Sequence, residues 1–193
     1  MALPKILLVI IIFENSPFYR VPIIIVMDPK SLEKINLLHP ILREDARRVL
    51  AEADAYVNSK GVFCRFTHSL RTFDEQAAIY AQGRTTPGKR VTNAKAGQSI
   101  HNYGLAIDMC FIINGVEASW DTKKDWDRDG QSDWMEMVAI FKKYGFDWGG
   151  NWVTFKDMPH FDKTFGHTWR DLLAKWNRGE TFIDANGLKY VKI

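Results

Sequence analysis

Two stretches of this chain crowd metal-ligating side chains together. The first is Ser99-Ile100-His101-Asn102-Tyr103-Gly104-Leu105-Ala106-Ile107-Asp108, joined further along by Asp157-Met158-Pro159-His160-Phe161. A catalytic zinc takes three protein ligands, histidine or carboxylate, and keeps a position open for water. His101 at the mouth of a strand and Asp108 along it can converge on one ion, because Gly104 lets the backbone turn closely between them. His160 would complete the set from a neighbouring strand. The plainer reading is that these are hydrogen-bonded structural polar groups, and spacing alone leaves both open.

The second stretch is Asp125-Trp126-Asp127-Arg128-Asp129-Gly130-Gln131-Ser132-Asp133-Trp134-Met135-Glu136. It matches the calcium loop of an EF-hand, with carboxylates at the first, third and fifth positions, glycine at the sixth and glutamate at the twelfth. Asp125, Asp127, Asp129, Gln131 (through its carbonyl), Asp133 (through water) and Glu136 would then be the ligands. Without a cation the carboxylates repel one another, and the alternative is a solvated acidic loop. The segment ahead of it, 120–124, is too short and polar for an entering helix, so an isolated EF-like loop is expected rather than a pair.

The elements that must position these residues follow from periodicity and punctuation. Helices are predicted over 31–38, from Pro40 to the cap at Gly61, over 73–81, over 134–144 before Gly145, and over 168–176. Strands are predicted over 62–66 and 105–113, the latter ending at an Asn114-Gly115 hairpin turn, with a small hairpin over 181–193. Residues 83–97 read as a long loop, of the kind that is usually functional. Helices and strands mix without a βαβ rhythm, which predicts an α+β domain with a small antiparallel sheet flanked by helices.

Composition narrows the function. The 193 residues are 46% hydrophobic and 25% charged, enough for one packed domain. A net charge of +3, with both signs mixed along the chain, argues against a nucleic-acid partner. Cys64 and Cys110 sit in apolar runs and read as buried small hydrophobes, excluding a disulfide scaffold. Residues 1–26 differ from the rest, with apolar runs at 6–13 and 21–26. Neither approaches the about 20 residues of a membrane span, so no stable transmembrane anchor is expected. The segment reads as an upstream extension with Met27 as working start, with a weak export signal and a packed N-terminal strand as alternatives. The catalytic domain is expected over 27–193.

The string S-x-H-x-x-G-x-A-x-D followed by D-x-P-H-F resembles the zinc peptidases that cut peptidoglycan stem peptides. That family holds D-alanyl-D-alanine carboxypeptidases and dipeptidases, and the L-alanyl-D-glutamate endopeptidases of phage endolysins and bacterial wall remodelling. The resemblance spans 38–176 and includes Ser69-Leu70-Arg71-Thr72 with Glu75-Gln76, and Trp148-Gly149-Gly150-Asn151-Trp152. It implies a Hedgehog/DD-peptidase-like fold, zinc on His101, Asp108 and His160, Asp157 as the catalytic carboxylate, and Arg71 over the scissile carbonyl. Some phage members carry a comparable calcium loop. Ser99, Tyr103, Trp148 and Trp152 are expected at the substrate groove, the aromatic ones with core packing as the alternative; His68 has no fixed role, and His39 and His167 read as structural.

Asp rather than Glu at 157, the W-G-G-x-W segment and the compact size favour the endopeptidase branch, with D-Ala-D-Ala cleavage as the runner-up. A non-catalytic zinc/calcium binding module of the same fold is a reading of another class; Asp157 and Arg71 argue against it. A calcium-regulated structural protein with incidental zinc is weaker still. The expected enzyme is a monomer acting on the bacterial wall, reached by phage-type release or by secretion.

Overall fold

Short polar side chains set the helix starts. In the computed structural model, which describes residues 9–13, 22–57 and 61–193 (side chains 27–54 and 61–193), Asp28 caps α1 (Pro29–Asn36) by accepting from the Ser31 N–H at 3.0 Å. Thr72 and Glu75 form a reciprocal capping box at the start of α3 (Phe73–Ala81). Thr168 and Asp171 do the same for α5 (Trp169–Asn177). Each satisfies N–H groups that a helix terminus leaves without partners. The helix expected from Pro40 opens as a 3-10 turn, Pro40–Leu42, because His39 Nδ1 accepts from the Ile41 N–H; α2 proper is Arg43–Val57.

The main sheet is antiparallel and built around β4 (Ala106–Ile113). β3 (Val62–His68) runs along one edge of β4. The other edge is shared: β7 (His160–Asp162) pairs with residues 106–108, and β5 (Glu117–Ser119) with residues 111–113. β6 (Asp147–Trp148) completes the sheet beside β7. Asn114 and Gly115 both take positive φ, at 50° and 76°, as the expected tight hairpin turn between β4 and β5 requires. Apart from the main sheet, β1 (Val9–Phe13) pairs with β2 (Pro22–Val26), and β8 (Thr181–Ile183) with β9 (Lys189–Val191). The N-terminal extension otherwise falls on residues 1–8 and 14–21, outside the described residues.

The core lies between the sheet and α2 with α4 (Asp133–Lys143). Phe141 of α4 stacks on Phe161 of β7 at 3.9 Å between centroids and touches Phe66 of β3. Phe111 meets Trp134 edge-on. The inward side of the short strand β7 is thus anchored by an aromatic stack while its other side faces the cleft. Cys64 and Cys110 are free and buried, as small hydrophobes. Among the described residues no helix is long and apolar enough to cross a membrane. The α+β architecture with a small antiparallel sheet is the one expected.

Candidate active site

Strand pairing does most of the assembly. Asp108 and His160 are direct partners across β4 and β7, so their side chains leave the sheet on the same face. His101 sits on a 3-10 turn, Ile100–Tyr103, that ends at Gly104 with φ +68°. A Cβ there would lie 2.7 Å from the His39 backbone nitrogen, so this tight turn into β4 needs glycine. The result brings His101 Nε2, His160 Nδ1 and Asp108 Oδ1 within 3.1–3.2 Å of one another.

This donor set fits a metal. Ligand atoms about 2.0–2.1 Å from a tetrahedral zinc stand about 3.3–3.4 Å apart, close to the spacing found here. The outer ring nitrogens are engaged as well. His101 Nδ1 lies 2.7 Å from the Ser69 carbonyl, and His160 Nε2 lies 3.1 Å from Asp162 Oδ2. Both partners accept, so each outer nitrogen carries the proton and each inner nitrogen keeps its lone pair for the ion. Charge supports the same reading. Burial would raise the Asp108 carboxyl, but the two imidazoles hold it well below the usual carboxylate range. Burial would lower His160, but hydrogen bonds to Asp108 and Asp162 push it up to about 9. With Asp108 and Asp162 on either side the ring favours a second proton, which a metal held at Nδ1 would displace.

Around the triad opens a cleft of about 660 Å³, lined among others by His68, Arg71, Ser99, Trp152, Phe155 and Asp157. Asp157 is half-buried, and its carboxyl is raised above the ordinary value, chiefly by burial and then by the charge of Asp108. A raised carboxyl beside a metal is suited to shuttling a proton. Its place depends on Gly149, where a Cβ would lie 2.5 Å from the Asp157 carbonyl and 3.1 Å from the His160 Cβ. Arg71 enters from the opposite wall. Its backbone N–H donates to the His101 carbonyl at 3.0 Å, and its Nη2 lies 4.0 Å from Asp108 Oδ2.

Two of the four expected groove residues belong elsewhere. Tyr103 is fully buried, donates its hydroxyl to the Gly97 carbonyl at 2.7 Å and packs against Phe73. Trp148 is buried at 9% exposure, with its indole N–H on the Met158 carbonyl at 2.8 Å and its ring laid against Gly150. Both rings build the floor and walls from behind. Ser99 and Trp152 do line the cleft, and Trp152 lies 5.0 Å from the His160 ring. His68 is at the rim, whereas His39 is buried with Nε2 on the Val191 carbonyl, a structural tie. Asp162 went unread in the sequence, although the alternation H-x-D puts it on the His160 face, and Gln76, quoted only as part of the family motif, turns out to hold the Arg71 side chain.

The acidic loop also converges. Oxygens of Asp125, Asp127 and Asp129 lie within 4.8 Å of one another, and so do those of Asp127, Asp133 and Glu136. Backbone N–H groups of the loop turn inward: Gly130 donates to Asp125 at 3.0 Å, Asp129 to Asp127 at 3.2 Å and Gln131 to Asp129 at 2.7 Å. Gly130 takes φ +95° at the sharp turn. Asp133 is buried, with Oδ2 accepting from Trp126 N–H while Oδ1 meets no hydrogen-bond partner among the described residues. Residues 120–124 form no helix, as expected of an isolated loop.

Comparison with known proteins agrees with this geometry. The D-alanyl-D-alanine carboxypeptidase family matches residues 92–163, the span from the cleft loop to β7. The peptidoglycan L-alanyl-D-glutamate endopeptidase CwlK of Bacillus subtilis (strain 168) is 44% identical over 125 residues, 65% of this chain and 72% of that protein. The L-alanyl-D-glutamate peptidase of Listeria phage A118 is 27% identical over 146 residues, 76% of this chain and 45% of that longer protein. Among solved structures, Serratia marcescens L-Ala D-Glu endopeptidase ChiX aligns at a TM-score of 0.45 and 27% identity, over 71% of this chain and 88% of its own. With a relative this similar covered over nearly three quarters of its length, the chain belongs to the D-alanyl-D-alanine carboxypeptidase and L-alanyl-D-glutamate endopeptidase family of peptidases.

Proposed function

We propose that this chain is a zinc-dependent peptidoglycan hydrolase that cleaves the L-alanyl-D-glutamate bond of the stem peptide. The observation that carries the reading is the His101–Asp108–His160 donor set with Asp157 and Arg71 facing it across one cleft. The names of the relatives, an L-alanyl-D-glutamate endopeptidase in a bacterium and an L-alanyl-D-glutamate peptidase in a phage, support the choice of bond. When bound, zinc supplies Lewis-acid polarisation and brings the pKa of a water near neutrality. Asp157 accepts the proton of the attacking water and returns it to the leaving amine. The Arg71 guanidinium stabilises the oxyanion as the carbonyl becomes tetrahedral. Ser99 and Trp152 line the path of the peptide. Residues 27–193 form the catalytic unit, acting on the bacterial wall as a monomer.

We further infer that calcium occupies the loop of Asp125, Asp127, Asp129, Gln131, Asp133 and Glu136. The support is the convergence of its carboxylates and the burial of Asp133 and Glu136 at the start of α4.

Digestion of purified peptidoglycan, with mass spectrometry of the products, tests the bond. New D-glutamate amino termini are expected. Release of free D-alanine with no such termini would replace the endopeptidase reading by the carboxypeptidase one, and no release at all would favour a binding module.

A further inference from the structure

Gln76 is the one residue of α3 that is buried, and it is completely so. An amide in that position needs partners, and it has them on both sides. Its Oε1 accepts from Arg71 Nη1 at 3.0 Å, and its Nε2 donates to the Ala94 carbonyl at 2.7 Å and more weakly to Thr92 Oγ1 at 3.5 Å. Only one orientation of the amide satisfies both neighbours, since a guanidinium can only donate and a carbonyl can only accept. Thr92 and Ala94 belong to the long loop and line the same cleft as Asp157. Gln76 therefore joins the Arg71 side chain to that wall, while Asn102 Nδ2 holds the Arg71 carbonyl at 2.9 Å.

The amide does something a carboxylate there could not. Glutamate at this place would form an ion pair with the guanidinium and present lone pairs to the Ala94 carbonyl. The acid next door, Glu75, is committed instead to the helix cap, accepting from the Thr72 N–H at 2.7 Å and hydroxyl at 3.0 Å. We propose that Gln76 is a positioning residue that fixes the Arg71 guanidinium against the loop wall at Thr92–Ala94 without neutralising it, leaving its charge for the oxyanion of the substrate. The proposal rests on the role given to Arg71 above.

A double-mutant cycle separates the two. Gln76→Met keeps the volume and removes both hydrogen bonds; Gln76→Glu keeps the shape and adds charge. Kinetics are measured on a purified stem peptide, with Arg71→Ala as the second arm and metal content and Tm recorded for each variant. Gln76→Met should lower kcat about tenfold with a smaller change in KM, yet less than about twofold when Arg71 is already alanine. Gln76→Glu should also lower kcat, with zinc content unchanged. In the metal-free protein, phenylglyoxal should modify Arg71 faster in Gln76→Met than in the wild type, read by peptide mapping. An equal loss in both backgrounds, or a slow Arg71→Ala beside a normal Gln76→Met, overturns the Gln76 proposal alone. A normal Arg71→Ala overturns the oxyanion role and this inference with it. If Gln76→Met does not fold, the Gln76→Glu cycle with Arg71→Ala decides by the same criterion.

Discussion

The cleft and the acidic loop both draw carboxylates towards a point, but they are held in opposite ways. In the cleft, Asp108 and His160 are fixed by strand pairing, and the outer nitrogens of both histidines are tied to Ser69 and Asp162. In the loop, Asp125, Asp127 and Asp129 accept from the loop's own N–H groups and are not set by strand pairing. Backbone pairing and these hydrogen bonds set the spacing of the first array. The second gathers like charges, and burial, then the charges of Asp127 and Asp125, raise the Asp133 carboxyl. Preorganisation favours chemistry, where a misplaced group is costly in rate. A site that orders on binding favours stability linkage.

The strongest way to break this contrast is to remove a ligand from the preformed array. His101→Ala, Asp108→Ala or His160→Ala should each abolish zinc retention on gel filtration and reduce wall lysis by at least about a thousandfold, leaving only background hydrolysis. A metal-free His160→Ala protein with full activity would refute the assignment.

Asp157→Ala should keep its zinc and its melting temperature yet lose about 10²–10⁴ in turnover, since it acts on proton transfer rather than on the ion. Near-normal turnover would move the proton-transfer role to another group.

Asp162→Ala tests whether the framework reaches beyond the ligands. Zinc affinity, read by competition with a chromogenic chelator, should fall about 10–100-fold. Unchanged affinity would reduce Asp162 to a packing residue.

Calcium tests the other array. Thermal unfolding at constant zinc should shift upward across a calcium titration, by about 2.7 kcal/mol at a hundredfold excess over the dissociation constant. Asp127→Ala combined with Glu136→Gln should flatten the response without changing zinc content. A wild type indifferent to calcium would make the loop a solvated acidic turn.

The smallest effect concerns a buried acid of the framework. Asp54 is buried on α2, where burial and the nearby Asp28 carboxylate push its carboxyl up to about 7. The unfolded chain releases that proton near pH 4, so stability is lost as pH rises from about 4 to about 7. Asp54→Asn should therefore raise Tm more at pH 8 than at pH 5, by roughly 2–4 °C for each kcal/mol regained. An equal change at both pH values would show that Asp54 is already ionised in the folded protein.

What could be read in advance was local. His101, Gly104 and Asp108 lie within one turn and one strand, and the acidic loop is a single continuous segment, so residue type and spacing suffice. For Tyr103 and Trp148 groove and core stay open in the sequence, and the core alternative is the one found, because an aromatic ring beside a site faces one or the other according to tertiary packing, which spacing does not encode. Gln76 could be quoted as part of the family motif, but its contact with Arg71 was hidden for the same reason. A glutamine near a helix start looks like surface until the loop at Ala94 folds over it.

The pairing of β7 with β4 carries a consequence for how such a chain can drift. From Gly149 to Asp162 the backbone works as a ruler: Gly149 passes beneath Asp157, and His160 stands opposite Asp108. One residue gained or lost within β7 would turn Phe161 towards the metal ligands and swing the imidazole into the aromatic stack on Phe141. Within the loop at 83–97, residues 87–91 are exposed and can absorb insertions, reshaping the groove wall while the ties of Thr92 and Ala94 to Gln76 stay in place. New bond preferences within this architecture should therefore arise by lengthening that loop, and the stretch ending at β7 should keep its length even where its side chains change.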